Sequence, residues 1–334
     1  MSKIADVAQA AGVSISTVSK VINDRGGISE STRAKVLAVI ESMNYHSDFA
    51  AKGLRTKKTM MLGTIVRYLE NEYFQRIVAG IEDAAYARGY NVVICNCQLS
   101  AERERTLLKL FLHRRVDGLI FVLPLMKDAE LVQLAARGVH MAVVGTPVVG
   151  DLQAPLVRGD HESAGYKATL HLIQVHGKRR IAYIQGPPEQ NHGFLGYCRA
   201  LADGGLPFLP ELVGYANTSP ELAGLALEKI IYLGQKPDAV FCFNDELALG
   251  IYRQAAKMGL RIPADLAVIG VDDTRFGQCL TPSLTSVAVP TFEMGQLAAN
   301  ELIDVLESGA GRAGTKVLPT KLIARGSCGC SDIA

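Results

Sequence analysis

Residues 4–23 of the chain read IADVAQAAGVSISTVSKVIN. In the first half of this stretch, apolar residues recur at the spacing of one helix face, and they are Ile4, Val7, Ala8 and Ala11. Gly12 ends the pattern where a left-handed helix cap would lie, and Ser14 is well placed to cap a second helix. The stretch therefore predicts two short helices joined by a tight glycine turn.

A third helix is predicted from a cap at Ser29 to about Met43. The second and third helices would share a small core made of Val18, Val21, Ile22, Val36, Leu37, Ile40 and Met43. The outward face of the second helix carries Ile15, Ser16, Thr17, Ser19 and Lys20. Short hydroxyls, a methyl-rich side chain and a cation suit DNA base edges and phosphates. Periodicity alone does not separate this interpretation from a three-helix surface subdomain without a DNA role.

The formal net charge of +2 is unevenly distributed along the chain. Residues 1–58 hold nine Lys or Arg and five Asp or Glu, a balance of +4, so the remainder carries −2. A basic N-terminal piece indicates a nucleic-acid partner, although a solvated charged face would have the same balance.

Length and composition limit the class of protein. A chain of 334 residues that is 49% hydrophobic predicts two or three domains with a large core. Apolar runs such as Leu119–Leu125 stop well short of the ~20 residues of a membrane helix, and the N-terminus does not follow the pattern of a secretory signal. The odd number of cysteines, seven, does not form a paired disulfide framework. We therefore expect a cytoplasmic protein with reduced thiols and no membrane span.

From Met61 onward, short β-branched runs alternate with amphipathic helical stretches. A first series is predicted with strands at 61–66, 90–95, 116–122 and 139–144 and helices at 74–88, 101–114 and 128–137. A second series follows, with strands at 180–184, 239–243 and 266–271 and helices at 162–176, 195–203, 220–233 and 246–258. A last helix at 292–306 and a strand near 315–324 indicate that the chain crosses back. The pattern predicts two lobes, each a doubly wound parallel sheet, with a ligand cleft at the carboxyl ends of their strands.

The stretch 4–23 closely resembles the DNA-binding headpiece of the LacI/GalR family of transcriptional regulators, which includes the lactose and purine repressors. Residues 28–33, ISESTR, and the stretch that ends at Tyr45 extend the likeness. Later segments that also resemble the family are RRVDGLI at 114–120, NDELALG at 244–250, GLRIPADLAVIGVDD at 259–273 and PSLTSV at 282–287. This part of the family shares the α/β fold of periplasmic sugar-binding proteins.

The resemblance implies an all-α helix-turn-helix headpiece at 1–46, a hinge at 47–59, and a two-lobed effector-binding and dimerisation domain at 60–334. The N-lobe would comprise about 60–160 and 291–318, and the C-lobe about 161–290 and 319–334. It also implies a homodimer, or a tetramer, that binds operator DNA as a repressor. A small-molecule effector, a sugar or related metabolite, would control that binding.

The DNA-binding residues implied by the resemblance are Ser14, Ile15, Ser16, Thr17, Lys20 and Asn23 in the headpiece and Lys52, Leu54 and Arg55 in the hinge. Ile15, Ser16 and Lys20 would enter the major groove, while Thr17 and Asn23 would hold phosphates. Leu54 would push between base pairs in the minor groove, with Lys52 and Arg55 near phosphates. The family more often has arginine at position 20, and lysine lacks the bidentate fork that favours guanine. A different base preference is therefore expected there.

The effector-binding residues implied by the resemblance are Tyr73, Phe74, Asp160, Asn244 and Asp272. Tyr73 and Phe74 would stack on the ligand, and the other three would hydrogen-bond to hydroxyls or ring nitrogens. Asn244, together with Asp245, could instead cap the helix that follows.

One segment departs from the family pattern. Family members that bind sugars or purines usually have an arginine before the Gly-Tyr or Gly-Phe of a second-lobe helix. Here residues 186–197 read GPPEQNHGFLGY, with Gly193 at the arginine position. Three alternatives remain open: a ligand that no arginine clamps, a substitute in Arg158 or His192, or a site that is little used.

No sequence motif supports catalysis. The glycines at 309–314 satisfy G-x-G-x-x-G, but they follow a predicted helix rather than a strand and so predict a loop. The pair Cys328 and Cys330 could hold a soft metal, but with no partner pair nearby a solvent-exposed tail is favoured. No metal site and no cofactor are predicted. An oxidoreductase would need a glycine fingerprint after residues 61–66, and a stand-alone binding protein would lack the headpiece, so a repressor remains.

Overall fold

The structure is a computed structural model that describes residues 4–22, 26–45, 58–309 and 314–331. The chain divides into two compact units, Met1–Met60 and Met61–Ala334. The predicted DNA-binding residues Asn23, Lys52, Leu54 and Arg55 lie outside the described residues. Within the described ranges, no helix is both long and apolar enough to cross a membrane.

The described part of the N-terminal unit contains helices α1 (Ile4–Ala11), α2 (Ile15–Ile22) and α3 (Glu30–Ser42). Gly12 has a φ of 64° between α1 and α2, as the turn requires. The Ser14 hydroxyl accepts a hydrogen bond from the amide of Thr17 at 3.1 Å, and that of Ser29 accepts one from the amide of Thr32 at 3.3 Å. Both predicted caps are therefore confirmed.

The core of this unit is made of small side chains, namely Val7, Ala8, Ala11, Val18, Val21 and Val36. Ile22, Ile40 and Met43 pack against it, as predicted. The inward placement of Leu37 is wrong, because its side chain is 49% exposed. Successive residues of a helix point about 100° apart, so with Val36 in the core its neighbour turns outward.

The first sheet of the second unit contains β1 (Met61–Val66), β2 (Asn91–Asn96), β3 (Gly118–Val122), β4 (Met141–Val144), β5 (Pro155–Gly159) and β11 (Gly314–Leu318). The strand order is β11-β5-β4-β3-β1-β2, and every neighbouring pair is parallel. The helices that belong to this half are α4 (Glu72–Ala87), α5 (Ala101–Arg114), α6 (Asp128–Ala136) and α12 (Thr291–Ser308).

The second sheet contains β6 (Ile181–Gln185), β7 (Val213–Tyr215), β8 (Ala239–Cys242), β9 (Ala267–Val271), β10 (Thr285–Ala288) and β12 (Lys321–Ile323). Its order is β12-β10-β9-β8-β6-β7, with only the edge strand β12 antiparallel to its neighbour. Its helices are α7 (His161–Gln174), α8 (His192–Asp203), α9 (Pro220–Tyr232), α10 (Asp245–Lys257) and α11 (Arg275–Gln278). Two doubly wound sheets are confirmed.

The chain crosses between the sheets near its end. The single strand predicted near 315–324 is in fact two strands, β11 in the first sheet and β12 in the second. Pro319 and Thr320 separate them, and the hydrophobic pattern alone does not register so short a break. Strands β5, β7 and β10 and helix α11 were also not predicted, because they are short or begin with proline or polar residues.

The expectation of a solvent-exposed tail at Cys328 is wrong, since this side chain is 1% exposed. The Ser327 hydroxyl accepts a hydrogen bond from the amide of Thr285 at 2.8 Å and donates one to the carbonyl of Val268. The Arg325 guanidinium donates to Asp273 at 2.6 Å. These bonds hold the C-terminal segment against β9 and β10, an anchoring that depends on residues distant in sequence.

Helices α7 and α8 approach closely through glycines, and this contact is testable. A Cβ at Gly196 would lie 1.9 Å from the carbonyl oxygen of Glu162 and 2.5 Å from the amide nitrogen of Tyr166. We expect Gly196→Ala to lower the free energy of unfolding by about 1–3 kcal/mol, because backbone atoms must move apart. Urea unfolding measures the change.

Gly193→Ala is the matched control on the same helix. Its Cβ would lie 3.6 Å from the nearest atom, the carbonyl oxygen of His161, which is an ordinary contact. Because alanine favours a helix over glycine, stability should stay the same or rise by up to about 1 kcal/mol. Equal losses in the two variants would contradict the packing argument.

Candidate functional site

A cavity of about 270 Å³ lies in the unit Met61–Ala334. Residues just beyond the carboxyl ends of strands from both sheets form its wall, including Arg67 after β1, Leu123 after β3, Phe243 after β8 and Asp272 after β9. Ligands of open α/β sheets bind at this end of the strands. The cavity therefore occupies the expected place for a ligand.

Four of the five residues implied for the effector line this cavity, namely Tyr73, Phe74, Asn244 and Asp272. Asp160 is not among the lining residues that the structure describes. Its carboxylate accepts a hydrogen bond from the amide of Ser163 at 3.0 Å and caps α7. The next residue, His161, lines the cavity instead.

Asp272 combines burial with an unusual backbone. Its φ is 104° and its side chain is 9% exposed. Burial, together with the nearby carboxyls of Asp245 and Glu246, raises the pKa of Asp272 well above its ordinary value. The neutral carboxyl that this favours offers both a donor and an acceptor to a ligand.

Asp245 supports the loop that carries Asp272. Its carboxyl oxygens accept hydrogen bonds from the amide and hydroxyl of Thr274, both at 2.8 Å, and from the hydroxyl of Ser286 at 2.6 Å. Burial raises the pKa of Asp245 to about 7. This residue therefore positions the loop after β9, and the cap of α10 is made by Asn244 alone.

Asn244 both caps a helix and lies in the wall of the cavity. Its side-chain oxygen accepts a hydrogen bond from the amide of Leu247 at 3.0 Å, which caps α10. The same residue lines the cavity. Because the cap uses only the oxygen, the amide nitrogen is the group that could donate to a ligand.

Tyr73 presents an aromatic ring and a polar atom together. Its ring packs edge-on against Phe74, with centroids 5.5 Å apart. Its buried hydroxyl has no hydrogen-bond partner in the described ranges. Burial, with a smaller contribution from the nearby Asp272, raises the pKa of Tyr73, so the phenol stays neutral.

His192 and Arg158 are the two residues considered as substitutes for the arginine that is absent at Gly193. His192, directly before Gly193, lines the cavity, and its buried Nε2 atom has no partner among the described residues. Arg158 is not among the described lining residues; its guanidinium lies 3.4 Å from the carbonyl oxygen of Gly159. Of the two substitutes considered, the geometry favours His192.

His161 is held neutral in the wall of the cavity. Burial, and the positive influence of His192 and Arg158, lower the pKa of His161 to about 4. A neutral imidazole has one donor and one acceptor nitrogen, which suits a ligand with hydroxyl groups.

This pKa shift predicts a pH dependence of stability. The pKa of His161 is about 6.5 in the unfolded chain and about 4 in the native state, so the unfolded chain takes up a proton first as the pH falls. The full free energy of unfolding is therefore present above about pH 6.5, and part of it is lost as the pH falls toward 4. Between pH 7 and pH 5, the protonation of His161 in the unfolded chain should lower the free energy of unfolding of the wild-type protein by about 2 kcal/mol. We expect His161→Gln to remove this part of the loss in urea unfolding at the two pH values.

The exposed His140 provides the control, since His140→Gln should leave the pH dependence unchanged. Comparison with the wild type also separates His161 from Asp245, whose raised pKa acts in the opposite sense. A His161→Gln protein with the full wild-type loss would contradict a buried neutral imidazole.

Sequence reasoning missed several residues of the wall. Arg67 follows a predicted strand directly, so its position alone could have indicated it. Its guanidinium donates to the carbonyls of Leu123 at 2.7 Å and Pro124 at 2.9 Å, which fixes its orientation. Asn217 and Thr218 follow β7, a strand too short to predict, so no sequence signal pointed to them.

The implied DNA-binding residues within the described ranges lie at the start of α2 or on it. The side chain of Ile15 is 52% exposed. The Ser14 hydroxyl lies 2.7 Å from that of Ser16 and 2.9 Å from that of Thr17. Lys20 is exposed. The helix thus presents an apolar methyl group, hydroxyls and one cation to its surroundings.

Comparisons with known proteins agree with both parts of the chain. Residues 3–48 match the family described as bacterial regulatory proteins, lacI family, and residues 170–328 match a periplasmic binding protein-like domain. Catabolite control protein A of Priestia megaterium is 35% identical over 88% of this chain and 90% of its own length. The HTH-type transcriptional repressor PurR of Proteus mirabilis is 32% identical over 98% of this chain and 97% of its own.

Solved structures of similar fold are also known. The lac repressor dimer bound to operator and the anti-inducer ONPF has a TM-score of 0.88 at 27% identity, over 98% of this chain and 99% of that chain. The transcriptional regulator CelR in complex with cellobiose has a TM-score of 0.74 at 29% identity, over 98% of this chain and 100% of that chain.

A helix-turn-helix unit joined to a two-sheet domain with a ligand cavity defines a DNA-binding transcriptional regulator that responds to a small molecule. The chain belongs to the LacI family of bacterial regulatory proteins. The resemblance seen in the sequence is thereby confirmed. The predicted function of the protein, a transcriptional repressor of this family, is confirmed as well. These relatives are regulators, and no family of enzymes is indicated.

Proposed function

We propose that the effector is a neutral polyhydroxylated molecule, a small sugar. One observation carries this proposal: the buried hydroxyl of Tyr73 and the buried Nε2 atom of His192 have no partner among the described residues, and both residues line one cavity together with Asp272. Buried polar groups require hydrogen bonds, and sugar hydroxyls both donate and accept them. A sugar that satisfies both groups would span the cleft.

The remaining wall supports the same class of ligand. Phe74 and Phe243 offer apolar surface to the C–H face of a sugar ring. The guanidinium of Arg67 is already bonded to carbonyls, and the acidic side chain of Glu246 in the wall disfavours an anionic ligand. The complex of CelR with cellobiose provides a precedent in a structural relative.

A thermal-shift panel on the full-length protein tests the class of effector. Neutral mono- and disaccharides should include at least one that raises the melting temperature, because a ligand at about 100 times its Kd stabilises by about 2.7 kcal/mol. Sugar phosphates and purine bases should give no rise. A response confined to phosphates or purines would contradict the proposal.

We also propose that α2 reads the operator, with Ile15, Ser16 and Lys20 at base edges and Thr17 and Asn23 at phosphates. Ser14 would support Ser16 and Thr17 through its hydroxyl contacts. In the hinge, Leu54 would enter the minor groove and Lys52 and Arg55 would lie at phosphates. These assignments follow from the family motif and from the exposed face of α2.

The protein is proposed to act as a homodimer on a near-palindromic operator, with one headpiece for each half-site. The lac repressor dimer on its operator is the structural precedent. Two protected half-sites related by symmetry are expected in footprinting. Protection of a single asymmetric half-site by a monomer would contradict this arrangement.

A further inference from the structure

Four potential metal ligands converge away from the cavity. His171 lies in the last turn of α7, His176 follows that helix, and Cys328 and Cys330 belong to the C-terminal segment. One ligand atom from each residue lies within 4.8 Å of the other three. None of these residues is among the described residues of the cavity wall. The cluster therefore needs an explanation of its own.

Four of the six distances between ligand atoms match tetrahedral coordination, and the other two are at most 4.8 Å. The two Nε2 atoms of His171 and His176 lie 3.2 Å apart. The Nε2 atom of His171 lies 3.5 Å from the Sγ atom of Cys328 and 3.6 Å from that of Cys330, which is 3.4 Å from the Nε2 atom of His176. In a tetrahedral zinc site, usual bond lengths place two nitrogens about 3.3 Å apart and a nitrogen and a sulfur about 3.6 Å apart. These four distances already have the spacings of such a site.

The backbone around the two cysteines is shaped for convergence. Gly329 has a φ of 105°, and a Cβ there would lie 3.2 Å from the Nδ1 atom of His176. Only glycine adopts this backbone conformation without strain. The turn that it makes brings the thiols of Cys328 and Cys330, on either side of it, toward the same point. The hydroxyl of Thr285 donates to the Sγ atom of Cys328 at 3.1 Å, an outer contact of the type that orients a ligating thiolate.

We propose that His171, His176, Cys328 and Cys330 bind one zinc ion in a closed tetrahedral site. The spacing of the histidines, H-x₄-H, is usual for zinc, whereas C-x-C is shorter than the common cysteine spacing. Four protein ligands leave no open position, so the role is structural. The ion would tie the C-terminal segment to α7, the helix whose first residue, His161, borders the cavity. This site does not depend on the identity of the effector.

Metal titration of the full-length protein tests the site. After chelator dialysis under reducing conditions, the protein should bind one Zn²⁺ for each chain. Co²⁺ should give the visible bands of a tetrahedral ion and a thiolate charge-transfer band. Cys330→Ser and His176→Gln should each weaken zinc binding by at least about 100-fold, since loss of even an outer contact costs 10–100-fold. Cys279→Ser, at an exposed cysteine elsewhere, should bind like the wild type.

Three results would overturn the proposal. The first is no stoichiometric uptake of Zn²⁺ by the reduced wild-type protein. The second is equal affinity in Cys330→Ser and Cys279→Ser, with circular dichroism showing that both are folded. The third is a Cys328–Cys330 disulfide, found by mass spectrometry in protein that also fails to bind metal when reduced, which would make the pair a redox couple.

Discussion

Asp272→Gly is expected to weaken effector binding by about 5–150-fold, because leaving a buried hydroxyl of the ligand without its partner costs about 1–3 kcal/mol. Glycine is the informative replacement because Asp272 has a φ of 104°, which glycine adopts without strain and alanine does not. The loss would therefore report the missing carboxyl group and not a distorted loop. Calorimetry with the sugar that stabilises the wild-type protein most measures it.

Asp272→Asn is the matched control. Burial favours the neutral form of the Asp272 carboxyl, and an asparagine amide has the same shape with a donor and an acceptor. Most of the affinity should remain in this variant. Normal sugar binding by Asp272→Gly would show that the carboxyl does not contact the effector.

Lys20→Ala is expected to lower operator affinity by about 1–3 kcal/mol, or roughly 5–150-fold, and to relax the preference at one base pair in each half-site. The reason is that Lys20 is exposed on the face of α2 that carries Ile15 and Ser16. A lysine at this position donates to a base edge but cannot form the bidentate fork of arginine. Fluorescence anisotropy on operator and on random DNA measures both effects.

Lys35→Ala controls for the loss of positive charge, because Lys35 is exposed on α3 instead of α2. It should weaken binding less, and equally on both DNAs, as expected for a long-range charge effect. If Lys20→Ala lost affinity equally on operator and random DNA, its partner would be a phosphate.

Much of the fold could be predicted because the hydrophobic periods are long and regular. Helix α5 was predicted with its observed bounds, and the caps at Ser14 and Ser29 follow from local hydrogen bonds. The elements that escaped prediction are held by distant partners. Strand β10 begins with the buried polar residues Thr285 and Ser286, whose hydroxyls bond to residues 40 or more positions away.

The candidate site was likewise predictable from the sequence only in part. The motif around Asp272 ends a clear strand, so its position in the cavity could be anticipated. The burial that raises its pKa comes from residues of other elements, which a linear pattern does not reveal. The metal cluster shows this most clearly, because 152 residues separate His176 from Cys328 and only the fold brings them together.

The most direct test of the account is the affinity of the full-length protein for an operator selected from random DNA, measured with and without a saturating amount of the best-binding sugar. Coupling between a regulator's two sites is usually about 1–3 kcal/mol, so operator affinity should change by roughly 5–150-fold. The change should disappear in Asp272→Gly at the same sugar concentration, while its affinity without sugar remains that of the wild type. An operator affinity that stays the same when the wild-type cavity is saturated would contradict the account.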